Sequence, residues 1–115
     1  MALRAKHSEK QGVTIIRLKG HLDSLTVDDL NYEFSQVMRA GKKKILLVMK
    51  NVNYVSSAVV RVFLSFNHWA AQMGGELMVS SIRPNVMELF RMMGLHNVLT
   101  IYDSEKDALA SFGEE

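Results

Sequence analysis

Two adjacent serines, Ser56 and Ser57, stand where a strand-like stretch gives way to a helix-like one. A serine at such a junction normally caps the helix by accepting hydrogen bonds from its free N–H groups. The same place suits a phosphate. The positive end of a helix stabilises negative charge, and a phosphoserine adds about −1.5 to −2, enough to alter any surface docked there. Cap and switch are both open to this pair. Other candidate chemistry is sparse. The four histidines, His7, His21, His68 and His96, make no His-x-x-x-His or Glu-x-x-His pair on one helix face, and they read as surface or loop residues. With no cysteine there is no disulfide framework, thiolate zinc site or cysteine nucleophile. No glycine-rich phosphate loop follows a strand, and no Gly-x-Ser-x-Gly elbow occurs. Lys42-Lys43-Lys44 has no interleaved aromatics and reads as a solvated lead-in to a buried strand. These residues support no catalytic group, metal or cofactor, and no enzyme.

The elements that must position the serines fit in one domain over residues 1–115. Apolar residues make up 48% of the chain, enough for a single core, and the net charge of +2 is too small to imply nucleic acid or an anionic membrane. No apolar run approaches the roughly 20 residues that span a bilayer. The start, Met1 to Gly12, lacks the apolar core of a signal peptide. The expectation is a cytoplasmic protein. Eight methionines allow an adaptable core or surface.

Leu3 to Glu9 reads as an edge strand, turning at Gln11-Gly12 into a strand over Val13–Leu18 that Gly20 ends. Thr26 caps a helix whose first turn holds Asp28 and Asp29. Leu30, Phe34, Val37 and Met38 face its core, and Gly41 stops it. Ile45 to Met49 is a continuous apolar run, suited to a central strand covered on both faces. Asn51 to Val55 links it to a long helix over about Ser57–Met73, ended by Gly74-Gly75. Leu77–Val79 is a strand. Pro84 opens a helix that closes at Gly94, Val98–Tyr102 is a last strand, and Ser104 caps a helix to Phe112 with Asp107 in a capping-box position. Such alternation predicts an α/β fold: a mixed, mostly parallel sheet of about five strands with about four helices.

The long helix carries two apolar rows. One is Val59, Val60, Phe63, Leu64, Ala70 and Ala71. The other is Val62, Phe66, Trp69 and Met73. One row suffices to dock a helix on a sheet; the second is either covered by neighbouring helices or offered to a partner.

Several segments carry a resemblance in order and spacing. They are Val13 to Ser24, with Gly20-His21-Leu22-Asp23; Leu46 to Val52; Asn53-Tyr54-Val55-Ser56-Ser57-Ala58-Val59-Val60; Gly74 to Val79; Val86 to Leu95; and Tyr102 to Leu109. Together they resemble the STAS family, whose best-known soluble members are bacterial anti-sigma factor antagonists. The resemblance implies a protein-interaction switch in which a serine kinase, itself the anti-sigma factor, phosphorylates the antagonist and so releases it, and a phosphatase resets it. Carried over by position, Ser57 is the phospho-acceptor, with Ser56 as rival. Asp23 matches an acidic residue near the binding surface, which would comprise Asp23, Ser24, Ser56, Ser57, Ala58, Val59, Arg61 and Val62. Three positions depart from the pattern: Ser56 and Val48 replace aspartates, and Val59 replaces a glycine. The departures predict less negative charge and more bulk beside the acceptor. The alternative is a STAS-type scaffold or homodimer without phosphorylation, using the Val62 row, or a small-ligand sensor.

Overall fold

Val13 to Leu22 alternates apolar side chains between two covers, and the strand it forms, β2, runs antiparallel to β1 (Arg4–Lys10) across the turn at Gln11-Gly12. The computed structural model describes residues 3–113. The chain continues through α1 (Val27–Arg39), β3 (Lys44–Val55), a 3-10 turn (Ser57–Val59), α2 (Val60–Gln72), β4 (Glu76–Ser80) and α3 (Pro84–Met92). A 3-10 turn (Leu95–Asn97), β5 (Thr100–Tyr102) and α4 (Glu105–Gly113) complete it. The five strands lie in the order β1-β2-β3-β4-β5, and all neighbours except β1 and β2 are parallel. The mixed, mostly parallel α/β fold is the one the alternation predicts.

The sheet has two unequal covers. Phe34 of α1, Phe63 and Phe66 of α2, and Phe90 of α3 are buried in one cluster with Ile16, Leu18, Leu47 and Val79 of the strands. On the opposite face, Ala108, Leu109 and Phe112 of α4 pack against Val13, Ile15, Leu46, Val48 and Met78. Ile45 to Met49 is therefore buried on both sides, as a continuous apolar run in a central strand should be.

Several boundaries differ from the expectations. Gly20 does not end β2. It sits inside the strand at φ 128°, beside a register shift in the pairing with β3, where glycine supplies backbone freedom that other residues lack. Asn51 to Val55 is strand, not linker, because β2 runs on far enough to pair Leu22 with Val55. The last strand shrinks to Thr100–Tyr102, since Val98 and Leu99 close a turn onto Leu95. Met38, expected inward, is 36% exposed at the end of α1. His7 on β1 and His68 on α2 are exposed, as surface residues should be; His21 on β2 is half-buried, and His7 bonds Glu33 at 2.6 Å. Gly75 has a packing reason beyond stopping a helix: an added Cβ would collide with the Lys43 carbonyl, which accepts from the Glu76 amide at 2.8 Å.

The two rows on α2 merge into one buried face. Val59, Phe63, Phe66 and Ala70 are buried, while Leu64 and Met73 are 38% and 49% exposed. Phe66 is stacked on Phe34 of α1, centroids 4.0 Å apart, and Trp69 is stacked on Phe66. In the row considered for a partner or a homodimer, Phe66 is covered by Phe34 of α1, Val62 and Trp69 are half-buried, and Met73 is exposed.

Candidate partner-docking site

Parallel strands deliver their carboxyl ends to one side of a sheet, and here β2 and β3 deliver the loops that hold the candidate residues. The Ser56 amide donates to the Leu22 carbonyl at 2.8 Å, joining the two loops at their base. From there β2 runs into Asp23, Ser24 and Leu25, and β3 into Ser56, Ser57 and Ala58.

The first loop is held from inside. Thr26 does not cap α1 with its side chain. Its Oγ1 donates instead to the His21 carbonyl at 2.6 Å and accepts from the Asp23 amide at 3.1 Å. Asp23 Oδ1 accepts from the Leu25 amide at 2.9 Å. These bonds close a tight turn that presents Leu25, 84% exposed, to solvent.

The two serines have different tasks. Ser56 is half-buried and extended, and its Oγ accepts from the Ala58 amide at 3.3 Å, so it is the cap. Ser57 is exposed on the first turn. No acidic residue lies in the first turn of either the 3-10 helix or α2. Arg61, also exposed, follows Ser57 by four residues, which on a helix places two side chains about 5–6 Å apart at Cβ. The junction therefore combines a reachable hydroxyl, a positive helix end and a nearby guanidinium.

Two of the three departures lie differently from what the residue types suggested. Val59 is fully buried at φ −95° and ψ −6°, a negative φ that requires no glycine. Its bulk fills the core and not the surface by Ser57, so it is no contact residue. Val48 belongs to the α4 side of the sheet, seven residues before the end of β3, about 20 Å along the strand. An aspartate exchanged there changes nothing local to the serine. Val62 is half-buried, whereas Ser24, Ala58 and Arg61 are exposed and Asp23 is half-exposed.

Leu25 and Tyr54 were missed by the reading of motifs. Tyr54 is 44% exposed, with its ring 6.4 Å from that of His21. An apolar residue between polar neighbours was visible in Ser24-Leu25-Thr26, but its exposure depends on the turn. Among the described residues, no three His, Asp or Glu side chains gather as a metal site, and no helix is long and apolar enough to cross a membrane.

The STAS domain profile matches residues 4–108. The chain belongs to the STAS domain family. It is 34% identical over 110 residues to an anti-sigma F factor antagonist from Paenibacillus polymyxa, covering 95% of this chain and 94% of that one. Among solved structures, it resembles an anti-sigma factor antagonist from Mycobacterium paratuberculosis, with a TM-score of 0.85 and 16% identity over 95% of this chain and 92% of that one. It also resembles the Bacillus cell fate determinant SpoIIAA in its phosphorylated form, with a TM-score of 0.69 and 18% identity over 95% and 99% of the two chains. The two solved structures share the fold; the Paenibacillus relative places this STAS domain among anti-sigma factor antagonists.

Proposed function

We propose that this STAS domain is a partner-switching antagonist that docks an anti-sigma serine kinase through the β2–α1 and β3–α2 loops and is released by phosphorylation at Ser57. The observation that carries the reading is the division of labour at the junction. Ser56 Oγ is engaged as the cap, while Ser57 is exposed at the positive end of α2 with Arg61 one turn on. A phosphate there gains from the helix end and the guanidinium, so modification need not unfold the domain. The same dianion would meet any partner seated on Leu25, Ala58 and Tyr54 and expel it by charge and desolvation. Leu25 and Tyr54 are the large exposed side chains of that contact, and Tyr54, an aromatic, is of the kind on which docking energy concentrates. The protein works by docking and not by catalysis, and a phosphatase restores the free hydroxyl.

Intact mass after incubation with ATP and the cognate kinase tests this. One phosphate should appear on wild type and on Ser56→Ala, and none on Ser57→Ala. Ser57→Asp should bind the kinase about tenfold or more weakly. Phosphate on Ser56, or unchanged binding by Ser57→Asp, would refute the reading and favour an interaction module that phosphorylation does not control.

A further inference from the structure

Helix α4 covers half of its sheet face, and the bare half is cationic. Arg17 and Lys19 continue along β2 the face begun by Val13 and Ile15. On β1, Lys6 stands opposite Arg17 and Arg4 opposite Lys19. In β3, Met49 and Val52 both enter the main core, so the irregularity between them turns Lys50 and Asn51 out onto the same open face. Arg83 joins from beyond β4, donating its Nε–H to the Lys50 carbonyl at 2.8 Å. All six cations are exposed. Among the described residues, Arg17 pairs with Glu105 at 2.8 Å, and Arg4, Lys6, Lys19, Lys50 and Arg83 have no carboxylate partner.

This arrangement works against the fold. Like charges directly opposite on antiparallel strands destabilise the pair, and two successive pairs are so placed. Protection of an exposed sheet edge accounts for lysine on β1, but not for Arg17 and Lys19 on β2 or Lys50 on the central strand. Two adjoining recesses cover the same ground. One, of about 350 Å³, is lined by Arg4, Lys6, Arg17, Lys19 and Asn51. The other, of about 410 Å³, is lined by Arg17, Lys50, Asn51 and Ser81, and by Glu105, whose carboxylate is paired with Arg17. Ser81 holds a φ of 61°, a left-handed conformation that non-glycine residues mostly avoid and that gathers at functional sites.

We propose that this face docks an extended acidic segment of a partner protein. Residues on one face of a strand repeat every 6.6–6.8 Å or so. Arg4 with Lys6, and Arg17 with Lys19, repeat at that interval, as do carboxylates at every second residue of an extended peptide. Asn51 and Ser81 offer hydrogen-bonding groups for its backbone. The patch spans β1 to β3, about 10 Å, which suits a short strand. The stacking surface that single-stranded nucleic acid uses is confined to Tyr54 at the rim, which favours the peptide. The face lies on the α4 side of the sheet, away from α2, and meets the loops around Ser57 at Tyr54.

Fluorescence polarisation tests the proposal with labelled short peptides of equal composition. One alternates Glu and Thr; the other carries them in pairs. Oligodeoxythymidylate and phosphatidylserine vesicles are parallel probes. The alternating peptide should bind best. Binding should weaken about tenfold in Lys19→Glu/Lys50→Glu. Lys6→Glu alone should weaken it measurably, and the charge-matched Arg39→Glu, on α1 across the sheet, should not. Because Lys19→Glu sets opposite charges against Arg4, the thermal midpoint of the double variant should not fall, which separates lost docking from lost folding. Equal affinity for the two peptides, undiminished binding by the Lys6 and Lys19/Lys50 variants, or tighter binding to the oligonucleotide or the vesicles would overturn it.

Discussion

Thr26 shows how one hydroxyl can matter more than its place in a motif suggests. It is 2% exposed, and its two hydrogen bonds tie the end of β2 to the turn that displays Leu25. Thr26→Val keeps the shape and strands the His21 carbonyl and Asp23 amide, both half-buried. The expected cost is about 1–3 kcal/mol by urea denaturation, with faster hydrogen exchange at the Asp23 amide. Thr26→Ser should retain most of the stability, because it retains both bonds. Kinase binding should fall with Thr26→Val even at temperatures where the variant is folded, since Leu25 loses its fixed display. The pair Ser56 and Ser57 makes the same point. Two identical side chains differ in task because one Oγ faces the Ala58 amide and the other faces solvent.

At the scale of elements, the β1–β2 hairpin is held to the rest of the domain by side chains near its turn and at mid-strand. Glu9 meets Lys42, beyond α1, at 2.8 Å. The hydrogen bond and charge of Lys42 hold the Glu9 carboxyl below the ordinary glutamate range, with a smaller contribution from Thr14. Since the folded value is depressed, the pair stabilises the fold above the ordinary range, near pH 4.3 or so, and the contribution is lost as pH falls through the folded value. Glu9→Gln should therefore melt slightly below wild type at neutral pH, and the two should converge in acid. At mid-strand, Arg17 reaches Ser8 at 2.9 Å and Glu105 at 2.8 Å, linking β2 to β1 and α4. The repulsion between Arg4 and Lys19, and between Lys6 and Arg17, opposes these ties by about 0.2–1 kcal/mol per pair. A hairpin both fastened and charged in this way is what an anion-docking face requires.

The whole molecule is organised around four phenylalanines from three helices. Phe63 is fully buried, with its ring 6.2 Å from Phe34 and 5.8 Å from Phe90, and Phe34 stacks on Phe66. Removing the central ring leaves a void bounded by α1, α3 and the sheet. Phe63→Ala should cost about 3–5 kcal/mol in urea denaturation, with near- and far-ultraviolet signals lost together. The α4 side of the sheet has the smaller cluster, and its incomplete cover leaves Arg17, Lys19 and Lys50 in solvent. Three helices on one face and one on the other thus separate the Ser57 junction from a basic face on a single small sheet.

Local pattern in the sequence determined the order of strands and helices, the central placement of Ile45–Met49 and the helix start at the serines. Each rests on neighbours a few residues apart: apolar period, glycine and proline punctuation, and a serine before a helix. The family pattern singled out two adjacent serines as candidates for the site. Tertiary structure decided what depends on residues far apart in the chain. The pairing of Leu22 with Val55 turned an expected linker into strand, and Phe34 covered Phe66 in the row on α2 that spacing left open. Burial of Val59 directed its bulk inward. Strand register set Arg4 against Lys19, where the sequence shows only scattered basic residues and a net charge of +2. Local periodicity tells which side chains share a face; only the packed chain tells whether another element covers that face.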